Sequence, residues 1–362
     1  MAKELKLMKG NEAIAEAAIR SGCDGYFGYP ITPQSEVMEH LMAEKPWEKT
    51  GMVVLQAESE TSSINMVYGG AGVGKKVMTS SSSPGISLMQ EGLTYLAGAE
   101  LPAIVVNVVR GGPGLGTIQP SQADYFQATK GGGHGDYQLF VLAPATVQEM
   151  YDFVFLGWEI AFKYRNPVMI LSDGAIGQVM EKLYVGDYVP RWTDEELRKN
   201  APWASFGKPT DRKHHIITSL ELDSAKQELH NHKLQAKYRE MEEKEVRFEA
   251  INCDDADYIF VAYGSSARIA EKAMQLGKEK GYKIGILRLI TLFPFPKKKI
   301  AELSTKVKGM LAVEMSAGQM VEDVRLAAEF RCPIEHYGRY GGIIHTPQEV
   351  LEALEEKIIK RK

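Results

Sequence analysis

Residues 76–116 read KVMTSSSSPGISLMQEGLTYLAGAELPAIVVNVVRGGPGLG and contain the pattern that decides the fold. Lys76–Thr79 and Pro102–Val109 are apolar runs of strand length, and the second is rich in valine. Between them, Ser83 and Pro84 provide an N-cap and a first-turn proline, which together predict a helix. Apolar strands joined by a helix are typical of parallel sheets that are covered on both faces.

The same alternation extends over the rest of the first half of the chain. Further strands are predicted at Tyr26–Tyr29, Met52–Gln56, Phe140–Leu142 and Val168–Leu171. Helices are predicted at Glu12–Ser21, Pro33–Ala43, Glu60–Ala71 and Val147–Tyr164. Residues 1–185 are therefore expected to form a doubly wound parallel α/β domain.

The chain then changes character twice. Residues 186–250 are polar and are predicted to be a connector, in which Ser224–Phe248 forms one long charged helix. The narrow apolar stripe of that helix is predicted to consist of Leu229, Leu234, Tyr238 and Met241. Residues 251–362 are expected to form a second, smaller α/β domain, with strands at Tyr258–Tyr263, Lys283–Leu289 and Gly309–Glu314 and a turn at Gly264–Ser266.

Composition and charge limit the classes of function. The 362 residues are 44% hydrophobic and 25% charged, which is ordinary globular composition. The net charge of −4 gives no reason to expect nucleic acid or an anionic membrane as a partner. The longest apolar runs are far below the ~18 residues of a membrane span, and the first residues show no apolar signal region. A cytoplasmic location is therefore expected.

Cysteine usage restricts redox chemistry. Cys23, Cys253 and Cys332 stand alone, and no CxxC pair occurs. An iron–sulfur cluster usually requires four thiolates, so any electron carrier is expected on another polypeptide.

Chemistry-bearing residues follow several of the predicted strands, where ligands of parallel sheets gather. Tyr29–Pro33 (YPITP) holds the Thr32 hydroxyl between two prolines, although plain helix capping is an alternative interpretation. Glu58 and Glu60 directly follow a strand, and either helix capping or a hydrogen bond to a cofactor nitrogen would suit them. Arg110 enters a glycine-rich loop and suits bidentate recognition of a carboxylate.

A metal site is not predicted. Asp173 in LSDG and Asn200, 27 residues later, imitate the metal signature of thiamine diphosphate enzymes. However, Ser172 replaces the first glycine of that signature, and no strand presents Asn200. These residues are therefore not expected to be metal ligands.

Taken together, the motifs resemble the alpha subunit of the 2-oxoacid:ferredoxin oxidoreductases over essentially the whole chain. The matching blocks are YPITP (29–33), QAESE (56–60), TSSSSPG (79–85), RGGPGLG (110–116), AYGSSAR (262–268) and LRLITLFPFP (287–296). The blocks GYPITPQSE (28–36) and QPSQADYFQAT (119–129) favour the branched-chain subgroup, which acts on 3-methyl-2-oxobutanoate.

The resemblance implies a pyrimidine-binding-type domain for thiamine diphosphate, followed by a transketolase C-terminal-like domain. Glu60 matches the carboxylate that hydrogen-bonds the aminopyrimidine N1′. Tyr29, Pro30, Ile31 and Thr32 are implied to line the cofactor, and Arg110 with Thr32 to hold the substrate carboxylate.

The resemblance also implies partners. A beta subunit would supply the diphosphate and Mg²⁺ site and an iron–sulfur cluster, with gamma and ferredoxin-like delta subunits completing the complex. The implied reaction is oxidative decarboxylation of a 2-oxoacid to acyl-CoA, with electrons passed to ferredoxin and no activity in the isolated chain.

Two alternatives stay open from the sequence. The complex would act on 2-oxoglutarate if a second basic side chain lined the substrate cavity for the distal carboxylate. The chain would be a non-catalytic assembly subunit if the fold had been kept without the chemistry, although Glu60, Thr32 and Arg110 together weigh against this interpretation.

Overall fold

The structure is a computed structural model that describes residues 4–208, 210 and 212–360. Residues 1–3 and 361–362, at the ends of the first and last predicted domains, lie outside the described residues. Within the described part of the chain, no helix combines the length and apolar character needed to cross a membrane.

The first half alternates strands and helices, as predicted. Its strands are β1 (Glu4–Lys9), β2 (Gly25–Gly28), β3 (Val53–Gln56), β4 (Val77–Ser81), β5 (Ala103–Val109), β6 (Phe140–Leu142), β7 (Pro167–Asp173) and β8 (Met180–Val185). Its helices are α1 (Gly10–Arg20), α2 (Ser35–Glu44), α3 (Pro46–Lys49), α4 (Glu60–Gly72), α5 (Ser83–Gly98), α6 (Tyr125–Thr129), α7 (Val147–Tyr164) and α8 (Gly174–Gln178).

The second half contains the connector and another α/β unit. Its strands are β9 (Phe248–Ile251), β10 (Tyr258–Tyr263), β11 (Ile284–Leu289), β12 (Thr291–Phe293), β13 (Gly309–Glu314) and β14 (Ile334–Gly338). Its helices are α9 (Asp194–Asn200), α10 (Ser224–Lys244), α11 (Gly264–Glu279), α12 (Lys297–Ser304), α13 (Met320–Ala328) and α14 (Pro347–Leu354), which continues as a π-helical turn at Glu355–Ile359.

The main sheet has the strand order β12-β6-β7-β5-β4-β2-β3. All neighbouring pairs are parallel except β12 and β6, so the predicted parallel α/β architecture is confirmed. The chain moves from β2 outward to β3 and then returns to the other side of β2 with β4. This reversal places a topological switch point between β2 and β4, where open parallel sheets bind ligands.

The second sheet has the order β14-β13-β10-β11-β9, with only β9 antiparallel in the described residues. One apolar core joins the two sheets, because Val105 and Met169 of the first lie in the same cluster as Val261 and Leu287 of the second. The units therefore share a buried interface.

The long connector helix is shorter than predicted. Helix α10 ends at Lys244, and Leu229, expected on its apolar stripe, is 68% exposed, whereas Leu234, Tyr238 and Met241 are buried. At about 100° per residue, Leu229 lies about 140° around the helix from Leu234, which directs it away from the protein.

A cluster of ionisable side chains around the buried Glu16 stabilises the position of α1. The Glu16 carboxylate is 1% exposed and contacts Lys6 Nζ at 2.7 Å, Arg20 Nε at 2.6 Å and His40 Nε2 at 3.4 Å. Burial alone would raise the pKa of Glu16, but the hydrogen bonds from His40, Lys6 and Arg20 outweigh burial and hold that pKa far below its ordinary value of 4.5.

Glu16→Gln is expected to lower the free energy of unfolding by about 3 kcal/mol at neutral pH, because it removes the buried anion that Arg20 and Lys6 share. Because the folded-state pKa is lowered, this stability is present above pH 4.5 and is lost as the pH falls further. Denaturant unfolding of parent and variant at pH 7 and pH 4 measures both effects. Glu48→Gln, at an exposed pair with Lys45, is the matched control and should change little. Equal losses in both variants would contradict the assignment.

Candidate functional site

Four adjacent strands of the main sheet, β5, β4, β2 and β3, direct the loops of interest to one edge. The Arg110 loop (residues 110–120) follows β5, the N-terminus of α5 follows β4, and residues 29–34 follow β2. Glu58 and Glu60 follow β3. The sheet thus gathers the residues that the sequence singled out around the topological switch point.

Glu60 is the first residue of α4 and is 6% exposed. Ser59, rather than Glu60, caps this helix by accepting a hydrogen bond from Ser62 N. No hydrogen bond or ion pair reaches the Glu60 carboxylate from the described residues. Glu58, the alternative from the sequence, is exposed. Without a partner among the described residues, this carboxylate is available to a hydrogen-bonding group from outside the chain.

The carboxylate of Glu60 faces the start of α5. A Cβ added to Gly85 would lie 2.6 Å from Glu60 Oε1 and would also clash with Ser81 Oγ. Ser81 Oγ is itself buried without a hydrogen-bond partner. The absence of a side chain at Gly85 therefore lets Glu60 and Ser81, two unpartnered polar groups, pack closely against the start of α5.

Arg110 and Thr32 are brought together, as predicted. The Arg110 guanidinium donates from Nη1 to Thr32 O at 2.9 Å and from Nη2 to Leu115 O at 3.0 Å, while its buried Nε has no partner. Arg110 is 9% exposed, and Thr32 is exposed. Two backbone contacts fix the guanidinium, and its remaining donors are free for a ligand.

Three more predicted cofactor-lining residues belong to the same loop after β2. Tyr29 and Ile31 are half-buried, and Pro30 is exposed. Gln34 N donates to Ile31 O at 3.0 Å, which forms a turn, so α2 begins at Ser35 rather than at Pro33. The loop is therefore held close to the sheet edge with part of its surface open.

Ser83, predicted as the N-cap of α5, is instead the first residue of that helix. Ser82 is the N-cap residue, and its Oγ donates to Val108 O at 2.8 Å instead of capping the helix. Ser83 Oγ accepts from Arg110 N at 3.1 Å and donates to Arg110 O at 3.2 Å. These hydroxyls tie α5 to the end of β5 and so link the Glu60 and Arg110 regions.

Asp124 is a polar site residue that sequence reasoning missed. It accepts from Asn107 Nδ2 at 2.9 Å and is hydrogen-bonded to Ser83. Burial raises the pKa of Asp124 above its usual value, against the effect of these two hydrogen bonds. Asp124 lies in the block QPSQADYFQAT, and no local spacing connects it with Asn107.

The hydrogen bonds of the Asp173 carboxylate stabilise the fold. Asp173 is the N-cap of α8, accepts from Ala175 N and Ile176 N, and accepts from Ser265 Oγ at 2.7 Å. Burial raises the pKa of this carboxyl, and the Ser265 and backbone hydrogen bonds oppose that effect. Asn200 lies at the end of α9 in an exposed stretch. The two residues that imitate a metal signature are thus in unrelated environments.

Apolar side chains project from the rim of the site. Leu115 is 82% exposed, Leu88 57%, Ile118 56% and Leu55 43%. These four residues lie on β3, on α5 and in the Arg110 loop, which are among the elements that carry the site.

Comparisons with known proteins agree with this geometry. Residues 16–249 match the family described as pyruvate flavodoxin/ferredoxin oxidoreductase, thiamine diphosphate-binding, and residues 256–350 match pyruvate:ferredoxin oxidoreductase core domain II. The chain is 47% identical to ketoisovalerate oxidoreductase subunit VorB of Methanothermobacter thermautotrophicus over 97% of both chains. It is 37% identical to 2-oxoglutarate synthase subunit KorA of Archaeoglobus fulgidus, over 98% of this chain and 100% of that protein.

Solved structures share the fold. The 2-oxoglutarate:ferredoxin oxidoreductase from Magnetococcus marinus superposes with a TM-score of 0.86 at 28% identity, covering 98% of this chain and 65% of that one. A split-gene transketolase matches with a TM-score of 0.62 at 14% identity, covering 98% and 99% of the two chains, and supports the fold alone.

The fold and the family match together define a thiamine diphosphate-binding α/β protein. The chain belongs to the 2-oxoacid:ferredoxin oxidoreductase family, in which its relatives are subunits of larger oxidoreductases. The resemblance drawn from the sequence motifs is confirmed. The Glu60 carboxylate, unpartnered in the described residues and next to the switch point, can accept a hydrogen bond from the polar edge of a pyrimidine ring, so the residues present suit thiamine diphosphate.

Proposed function

We propose that this chain belongs to a branched-chain 2-oxoacid:ferredoxin oxidoreductase. In that complex it provides the pyrimidine side of a thiamine diphosphate site and the residues that bind the substrate carboxylate. The observation that carries the proposal is Glu60, a buried carboxylate without a partner at the switch point of a parallel sheet. The reaction is the oxidative decarboxylation of the 2-oxoacid to acyl-CoA, with two electrons passed to ferredoxin.

When bound, thiamine diphosphate supplies a nucleophilic carbon and an electron sink for decarboxylation. Glu60 accepts and returns a proton at the pyrimidine N1′, and its carboxylate oxygens are available for that contact because no described residue binds them. The half-buried Tyr29 and Ile31, with Pro30 and Thr32, line the cofactor from the loop after β2.

Arg110 binds the carboxylate of the 2-oxoacid. Its guanidinium donates to the carbonyls of Thr32 and Leu115, so these two hydrogen bonds orient the side chain before the substrate binds. Thr32 is exposed and lies next to the Arg110 guanidinium. Its hydroxyl provides a further contact to the substrate.

The rest of the site belongs to a partner subunit. The three cysteines of the chain are scattered and buried, so they cannot provide a four-thiolate cluster. The exposed rim residues Leu88, Leu115 and Ile118 suit coverage by another chain. That beta subunit carries the diphosphate and Mg²⁺ site and the iron–sulfur cluster, and gamma and ferredoxin-like delta subunits complete the complex.

Two observations favour a branched-chain substrate over 2-oxoglutarate. Arg110 is the only basic residue in the loop segments 29–34 and 110–120, which leaves no second cation there for a distal carboxylate. Identity to the ketoisovalerate relatives is 47% and 46%, against 37% and 35% for the first 2-oxoglutarate synthase relatives.

Substrate choice is the direct test of this proposal. In the complex purified anaerobically with its partner subunits, kcat/KM for 3-methyl-2-oxobutanoate should exceed that for 2-oxoglutarate by about tenfold or more, because an unpaired carboxylate is costly in an apolar pocket. The chain alone, as the control, should show no turnover. A preference for 2-oxoglutarate would contradict the substrate assignment, and robust turnover by the chain alone would contradict the subunit assignment.

A further inference from the structure

Gln122 joins the two α/β units through both its side chain and its backbone. Its Nε2 donates to Tyr263 O at 2.9 Å, and its Oε1 accepts from Ser266 Oγ at 2.6 Å and from Met315 N at 2.9 Å. Its backbone N–H donates to Met315 O at 2.9 Å, and its carbonyl accepts from Tyr263 Oη at 3.1 Å. Gln122 is 2% exposed, so these hydrogen bonds are shielded from water and hold this point firmly against the C-terminal unit.

Gln122 follows directly after the closure of the Arg110 loop. Arg110 forms an isolated β-bridge with Pro120. Gly111 N donates to Gln119 O at 2.9 Å, and Thr117 N donates to Gly111 O at 2.8 Å. The loop is therefore closed on itself, and the chain that leaves it is fixed two residues later by Gln122.

A second contact with the C-terminal unit lies on the side of the loop. A Cβ added to Gly342, whose φ is +93°, would lie 2.5 Å from Gln119 Cβ and 2.8 Å from Thr117 Cγ2. A Cβ added to Gly111 would lie 3.0 Å from Gly342 N. The two backbones thus meet without room for a side chain, so the segment around Gly342 limits where the loop can lie.

We propose that Gln122 is a positioning residue through which the C-terminal unit sets the geometry of the Arg110 loop. Gly342 is a second support for this loop. The geometry of the loop in turn sets the affinity for the 2-oxoacid carboxylate. The inference rests on the proposed function, because Arg110 is the group assigned to that carboxylate. The Arg110 guanidinium donates to Leu115 O within the loop, so a shift of the loop shifts the guanidinium. The C-terminal unit thereby acts on substrate binding without contacting the substrate.

The first test follows the loop in the full chain without partner or substrate. Gln122→Glu keeps an oxygen that accepts hydrogen bonds from Ser266 and Met315, but it replaces the Nε2 donor with a second oxygen that faces Tyr263 O. The attachment of residue 122 to the C-terminal unit should therefore weaken. Amide hydrogen exchange of Gly111 and Thr117, which report closure of the loop, should become about tenfold faster. Gly342→Ala perturbs the second support and should have the same effect, which provides a test if the first variant folds poorly.

The matched control is Tyr125→Phe. Tyr125 Oη donates to Asp323 Oδ2 at 2.6 Å across the same interface but outside the Arg110 loop. This variant should leave the exchange of Gly111 and Thr117 unchanged, which separates positioning from a general weakening of the interface.

The second test uses the assembled complex. Gln122→Glu should raise KM for 3-methyl-2-oxobutanoate by about tenfold, while kcat and deuterium exchange at the cofactor's thiazolium carbon stay close to those of the parent. Unchanged loop exchange in both variants, or an equal rise of KM in Tyr125→Phe, would overturn the positioning role. If the parent complex does not turn over 2-oxoacids, the proposed function fails, while amide exchange still decides whether Gln122 fixes the loop.

Discussion

Glu60→Gln is expected to lower turnover of the assembled complex by about 10²–10⁴-fold, or roughly 3–5 kcal/mol of barrier. Gln is nearly isosteric and keeps a hydrogen-bonding end, so folding and association with the partner subunit should persist. It cannot accept and return a proton at N1′, which is the role assigned to the buried carboxylate. Steady-state acyl-CoA formation, compared at equal cofactor occupancy, measures the loss.

Glu58→Gln is the matched control, since Glu58 lies two residues earlier and is exposed. It should change turnover little. A large loss in Glu58→Gln with normal turnover in Glu60→Gln would move the assignment by two residues. Normal turnover in both variants would leave the non-catalytic assembly subunit as the better interpretation.

Arg110→Lys is expected to lower kcat/KM by about 100-fold, because an ammonium cannot reproduce a planar fork that binds a carboxylate in two places. The structure adds a second reason. The guanidinium already uses two nitrogens on Thr32 O and Leu115 O, and a single ammonium cannot hold both carbonyls and the substrate. KM should rise while kcat stays close to that of the parent, since the bound substrate and the transition state use the same contact and its loss weakens the binding of both equally.

The control for Arg110 is Arg268→Lys. Arg268 also donates to a backbone carbonyl and pairs with Glu181, but it lies on α11, outside the site loops. Kinetics of this variant should be near normal. A lower melting temperature without a change in kcat/KM for Arg110→Lys would show that Arg110 serves only to close its loop.

Local sequence patterns predict the helices and strands that are specified by residues close together in the sequence. Strand β6, helix α7 and strand β13 occur with the predicted bounds, because each combines a continuous apolar run or helical periodicity with clear end signals. The ribbon of β1 and β8 is not predicted, since half of the residues of ELKLMK are charged and the segment forms a strand by pairing with residues about 180 positions away. Similarly, β12 joins the first sheet although its sequence neighbours belong to the second.

The candidate site shows the same division. The meeting of Arg110 with the Thr32 loop could be predicted, because the carboxyl ends of parallel strands share one edge of a sheet. The contributions of Asp124, Gln122 and Gly342 could not, because each depends on contacts between residues far apart in sequence. For the same reason, the local pattern predicts a capping role for Ser83, whereas the hydroxyls of Ser82 and Ser83 bond to β5 and Arg110.

The proton-transfer role of Glu60 can be tested by deuterium exchange at the thiazolium carbon of thiamine diphosphate in the assembled complex. This exchange requires the proton transfer assigned to Glu60 and does not require substrate, Arg110 or electron transfer. Exchange should be fast in the parent complex and in Glu58→Gln, and slower by about 10²-fold or more in Glu60→Gln at full cofactor occupancy. Fast exchange in Glu60→Gln would contradict the role of Glu60, and with it the mechanism proposed for this chain.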